Sequence, residues 1–145
     1  MEKTSVQSSA DKMMDMIAFK ITSNVSIEEI SERMPAECEK NKFSVLQVYN
    51  FNQILEGKGF PIERKARVFE VCRASMASKM LTVSPEFSIF MPCRIAVYEQ
   101  EGQTVISTMN MELVTEAVKH NDLLFVEISG MFNSLKAIMA ALAKD

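Results

Sequence analysis

Residues 65–99 read KARVFEVCRASMASKMLTVSPEFSIFMPCRIAVYE, and this stretch decides the fold. Lys65 to Cys72 alternates, with Phe69 and Val71 on one side and Val68, Glu70 and Cys72 on the other, the period of a β-strand. A short helix is expected over roughly Ser75 to Leu81, with Pro85 marking its exit. Alternation returns from about Ser88 to Glu99. Ile89, Met91, Cys93, Ile95 and Val97 share one face; Phe90, Pro92, Arg94, Ala96 and Tyr98 share the other. Glu101-Gly102 then signals a hairpin turn into a further strand, Thr104 to Met109.

Toward the N-terminus, Phe43 to Phe51 is apolar on both faces, which suits a central strand or a face covered by a partner. Asn52 can cap a short helical turn that ends at Gly57 and Gly59. Ser26 and Glu29 form a capping box, with Val25 placed to staple onto Ile30. A helix is expected from there to about Asn41, kinked or shortened by Pro35, with Cys38 on its apolar stripe as core packing. Asp15 to Thr22 reads as the first strand, with Ile17, Phe19 and Ile21 inward. Residues 1–12 offer little to bury and read as a disordered lead-in to one domain over residues 13–145.

Toward the C-terminus, Met111 to Val118 reads as a helix, recapped at Asn121 or Asp122. The final helix repeats Leu124, Ile128, Met131, Leu135, Ile138 and Leu142 at alternating steps of four and three, widened by Phe125, Phe132 and Met139. Such a wide stripe suits packing across a sheet, with a dimer helix as the alternative; the charged flanks of a coiled coil are absent. Helices and strands do not alternate strictly. The expected class is α+β, a mostly antiparallel five-stranded sheet with helices on one face.

Composition narrows the function. The chain has 145 residues, 48% of them hydrophobic, 24% charged, and a net charge of -3, values of an ordinary globular domain. No basic stripe supports a nucleic-acid partner and no polybasic helix supports a membrane surface. The polar start lacks the apolar core of a secretory signal, and Glu127, Ser129, Asn133 and Lys136 interrupt the apolar C-terminal segment, so a cytoplasmic location is expected. The three cysteines, at 38, 72 and 93, are an odd count and read as free thiols in a reducing compartment. With one histidine, His120, the chain cannot supply the paired Cys/His ligands of a zinc site, and no cofactor is expected. Twelve methionines either fill core gaps or make an adaptable surface for apolar ligands or partners.

Three motifs together carry a resemblance. Ser26-Ile27-Glu28-Glu29-Ile30, Phe69-Glu70-Val71-Cys72, and Pro92-Cys93-Arg94-Ile95-Ala96-Val97-Tyr98-Glu99 with its glycine turn resemble the bacterial and archaeal family called domain of unknown function 302. The likeness runs from about Met13 to the C-terminus, and the proline-cysteine strand is its most specific part. It implies a compact domain of TATA-binding-protein-like topology and a homodimer, and it supplies no activity. The chain departs from the family pattern at three places. Arg73-Ala74 stands where asparagine-proline is usual, Asn110-Met111 where aspartate-proline is common, and Lys42 where glycine ends the first helix.

Two places could hold chemistry. Cys72 ends a strand and directly precedes a helix. Helix N-termini and nearby cations, here Arg73 and Arg94, stabilise a thiolate; against this, Cys72 could simply close the strand as a small hydrophobe. Cys93 lies on the apolar face with Met91 and Ile95, where burial makes a thiol inert. Separately, Glu70, Arg94 and Tyr98 are polar groups among apolar strand neighbours. They suit a small-ligand site, a solvated outer face or a dimer interface. Glycine-rich phosphate loops and paired carboxylates are absent, and His120 suits a helix C-terminus. These readings lead to a non-enzymatic homodimeric binding or regulatory module, with small-molecule or protein partners open. The alternative is a thiol-dependent protein that carries sulfur or senses oxidation through Cys72.

Overall fold

The structure, a computed structural model, describes residues 5–145, with side chains from residue 9. The elements run α1 (Ser5–Ile17), β1 (Ala18–Ser23), α2 (Ile27–Lys40), β2 (Ser44–Asn50), α3 (Phe51–Gly57), β3 (Ala66–Cys72) and α4 (Ala74–Val83). A 3-10 helix, Pro85–Phe90, precedes β4 (Cys93–Gln100), β5 (Gln103–Met109), α5 (Glu112–Ala117) and α6 (Asp122–Leu142). The strands form one sheet in the order β1-β5-β4-β3-β2, and every neighbouring pair is antiparallel. The α+β class with a five-stranded antiparallel sheet is therefore the observed one.

Parity along the strands sets two faces. Phe19 and Ile21 of β1, Phe69 and Val71 of β3, Ile95 and Val97 of β4 and Ile106 of β5 all belong to the core. Onto them lies α6, whose Leu124, Ile128, Met131, Leu135, Ile138 and Leu142 are buried as the four-three spacing requires. By length and composition α6 could cross a membrane; here its apolar stripe is spent on the sheet. Helix α2 packs beside it through Ile27, Ile30, Met34 and Cys38. The end of α6 is clasped from both sides. Ser23 Oγ donates to the Ala143 carbonyl at 2.7 Å, and Arg33 Nη2 donates to the carbonyls of Leu142 and Lys144 at 2.8 and 3.0 Å.

Local signals explain several boundaries. The Ser26 hydroxyl accepts from the Glu29 amide at 3.1 Å and caps α2, while Val25 and Ile30 are both buried. Asn121 caps α6 in the same way, accepting from Leu124 at 3.1 Å. Lys42 takes φ +63, the left-handed conformation that glycine adopts at no steric cost. Lysine meets this backbone demand under strain.

The structure corrects the sequence reading at several points. The residues before Ala18 are helical and not the start of a strand: α1 holds Asp15 and Ile17. The lead-in over residues 1–12 is described only from Ser5, where it is helix; its first four residues lie outside the described residues. β4 begins at Cys93, not Ser88, because Pro85 opens a 3-10 helix that runs to Phe90; the Met91–Pro92 bond is cis. The apparent alternation over Ser88–Pro92 was a short helix and its exit. Helix α2 is not shortened at Pro35 and continues to Lys40. β2 is an edge strand, not a central one, and a bulge between Val45 and Gln47 leaves Leu46 and Val48 exposed.

Deleting the α6 side chain that meets the sheet should be costly. Leu135→Ala is expected to lose about 3 kcal/mol by urea unfolding, within the range for a fully buried leucine. Leu123→Ala, on the exposed side of the same helix, should stay within about 0.5 kcal/mol.

Candidate functional site

The antiparallel register of β3 and β4 places the two sequence-predicted thiols together. Val71 pairs with Cys93, so Cys72 lies one residue along the neighbouring strand. Beyond Cys72 the chain turns at Arg73 and enters α4, whose first amides, at Met76 and Ala77, donate to the Arg73 carbonyl. Cys72, Met76 and Met80 follow one another at steps of four, and both methionines are buried.

These residues wall a small cavity. Val71, Cys72 and Arg73 come from the end of β3, Met76, Ala77 and Met80 from α4, and Met91, Pro92 and Cys93 from the entry to β4. Met111, Val114 and Met131 close it from the α5 and α6 side. Its volume is about 30 Å³, one-tenth or less of what a drug-sized ligand needs (about 300 Å³ or more). The cavity suits an atom or ion. A second recess of about 160 Å³ shares Phe90, Pro92, Cys93 and Met111 with it and reaches Arg94 and the exposed Ile89.

Burial governs Cys93 and Cys38. Burial pushes Cys93 up to about 11 from its ordinary 9.0, against the opposing pull of the Arg73 and Arg94 charges. Cys38, wholly inside the core, is pushed to about 11 by the same cause. The Arg73 guanidinium is committed elsewhere: Nη2 donates to the Asn41 carbonyl at 2.7 Å, and the group lies over the Phe43 ring, 4.7 Å from its centre.

Glu70, Arg94 and Tyr98 fall on the other side of the sheet, away from the cavity. Glu70 opposes Arg94 across β3 and β4, and Arg94 Nη2 stands 3.4 Å from Glu70 Oε2. Tyr49 Oη donates to Glu70 Oε1 at 2.8 Å, a bond that, with burial, raises the phenol's pKa. Tyr98 opposes Ala66 and Val105 on the same face. The predicted residues thus divide: Cys72, Arg73 and Cys93 line the cavity, while Glu70, Arg94 and Tyr98 lie on the outer face.

Sequence reasoning missed Tyr49 and the methionines. The step of four through Cys72, Met76 and Met80 was the available signal for the latter. His120 is exposed in the turn between α5 and α6, outside the cavity wall; its charge and that of Lys119 bear on Glu116. Among the described residues no three His, Cys, Asp or Glu side chains cluster as a metal site.

The raised Cys93 pKa has a consequence for stability. A neutral buried thiol contributes stability in full below pH 9.0, where the unfolded chain begins to ionise, and loses it as pH rises toward about 11. Over that window the wild type should lose stability more steeply than Cys93→Ala when both are unfolded by urea.

The fold has a counterpart elsewhere. The crystal structure of an uncharacterized conserved DUF302 protein from Bacillus stearothermophilus superposes with a TM-score of 0.77, at 20% identity, over 89% of this chain and 99% of that one. At that identity the likeness speaks to fold alone. No curated protein matches the sequence. The model of one family, described as Domain of unknown function DUF302, matches residues 19–142 and so takes in β1 but for Ala18, the other four strands, both cavity thiols and all of α6: the chain belongs to the DUF302 family.

Proposed function

We propose that the protein is a non-enzymatic homodimeric binding or regulatory module of the cytoplasm, meeting its second copy through the outer face of the sheet. The observation that carries this reading is the make-up of that face. Val68, Ala96 and Tyr98 lie there half-buried, and the bulge of the edge strand β2 adds exposed Leu46 beside them. Apolar area of this kind gains from being covered. The Tyr49–Glu70–Arg94 group is set within it, and polar groups in an apolar face fix the register of a partner. The net charge of -3 argues against nucleic acid and membrane surfaces as that partner.

By light scattering the native protein should have about twice its chain mass of 16.4 kDa. Ala96→Asp, which puts a charge at the centre of the outer face, should give the single-chain mass with unchanged circular dichroism. A wild-type monomer at tens of micromolar would sink the proposal.

A second reading has its own observation, the convergence of Cys72 and Cys93 on one cavity. In it, Cys72 carries sulfur or senses oxidation. Site-resolved alkylation of the native protein at neutral pH should then label Cys72 much faster than Cys38. Equal, slow labelling of all three thiols would end that reading.

A further inference from the structure

We propose that the cavity between β3, α4 and the entry to β4 is a site for one soft monovalent metal ion, Cu(I), held by the sulfurs of Cys72 and Cys93 and completed by the thioethers of Met76 and Met80. This rests on the cavity alone, neither on the pairing of two copies nor on any reactivity of Cys72.

Three observations carry it. The first is donor chemistry. Sulfur is nearly the whole of what the wall offers: two thiols, then methionines from α4, α5's approach and α6, with no carboxylate or imidazole among them. Soft thiolate and thioether ligands select Cu(I), whereas calcium and magnesium need oxygen, and zinc sites take four ligands from cysteine, histidine and carboxylate. Five methionines and two cysteines share this one wall.

The second is size and access. About 30 Å³ holds an ion and excludes a drug-sized molecule. The adjoining recess, which shares Cys93 and Met111 with the cavity, leads to the exposed side chain of Ile89 and gives the ion a way in.

The third is charge. Cu(I) displaces the two thiol protons, which pass to solvent. The resulting bis-thiolate complex carries one net negative charge. Arg73 belongs to the cavity wall and brings a positive charge beside it. A charge in an apolar cavity needs such compensation.

The experiment is an anaerobic titration of the whole protein with Cu(I) against a chromophoric Cu(I) chelator, followed by X-ray absorption at the copper edge. One equivalent per chain should be withdrawn from the chelator into an all-sulfur shell. The Cys72→Ser/Cys93→Ser double variant should bind about 100-fold more weakly or worse, at or beyond the loss that a supporting outer-shell group costs. Met76→Leu and Met80→Leu conserve volume and should keep the fold, yet each should weaken binding by about 10-fold. Cys38→Ala should bind as the wild type does. Failure of the native protein to hold Cu(I), nitrogen or oxygen ligands in the absorption spectrum, or full affinity in the methionine variants would each overturn the site. If the cysteine variant does not fold, the methionine variants and the spectrum still decide.

Discussion

The fold depends on one contact, the α6 stripe against the inner face of the sheet. Leu135, Ile138, Met139 and Leu142 have no exposure, and they meet strands drawn from distant parts of the chain. An antiparallel sheet with an apolar face must cover it to be stable, and α6, with α2 beside it, is what covers it. The other helices are arranged around that decision. α5 is short and serves mainly to turn the chain from β5 into α6. α4 fills the end of the same layer, against Cys72 and Met91, and there the packing is loose enough to leave a cavity. Close packing is the rule in protein interiors, so a void bounded by sulfur at this place is a feature of the design of the layer.

The sheet also separates two kinds of chemistry. On the inner side thiols and thioethers gather in an apolar space, where desolvation raises the pKa of Cys93. On the outer side Tyr49, Glu70 and Arg94 form a half-exposed polar group, where the hydrogen bond to Glu70 raises the pKa of the Tyr49 phenol. β3 and β4 serve both sides at once. Successive residues, Phe69 and Glu70 or Cys93 and Arg94, are assigned to different tasks by the two-residue period of the strand. An insertion of one residue in either strand would exchange the two sets and ruin both.

How much of this could be read from the residues varies with the physics behind each element. The α6 stripe, the Ser26 cap and the β4–β5 hairpin were legible because each is set by local periodicity or turn chemistry. The stretch before Cys93 was not. Ser88 to Met91 alternates as a strand would, and only the 3-10 helix begun at Pro85 shows that the alternation was incidental. α1 was missed because Asp15 to Thr22 carries both a helix end and a strand start, and boundaries between abutting elements leave little signal. The apolar character of β2 on both faces was real, but its cause is an edge with exposed Leu46 and Val48 rather than a central position. At the site, strand parity separated Cys93 from Arg94 correctly. It misled for Cys72, which parity groups with Glu70. The chain turns at Arg73, and that turn carries Cys72 into the wall of the inner cavity. Such a departure lies in the geometry of a strand end, which no period encodes.

The clasp at the end of α6 has a consequence for synthesis. Residues Ser23 and Arg33 hold carbonyls some 110 to 120 positions further along the chain. A ribosome delivers the strands first and their cover last. Until α6 emerges, the inner face of the sheet has nothing to lie against, and nascent strands with open edges are prone to wrong association. The domain therefore cannot mature piecemeal from its N-terminal side. It closes in one late event, when α6 arrives and β1 and α2 take hold of its end.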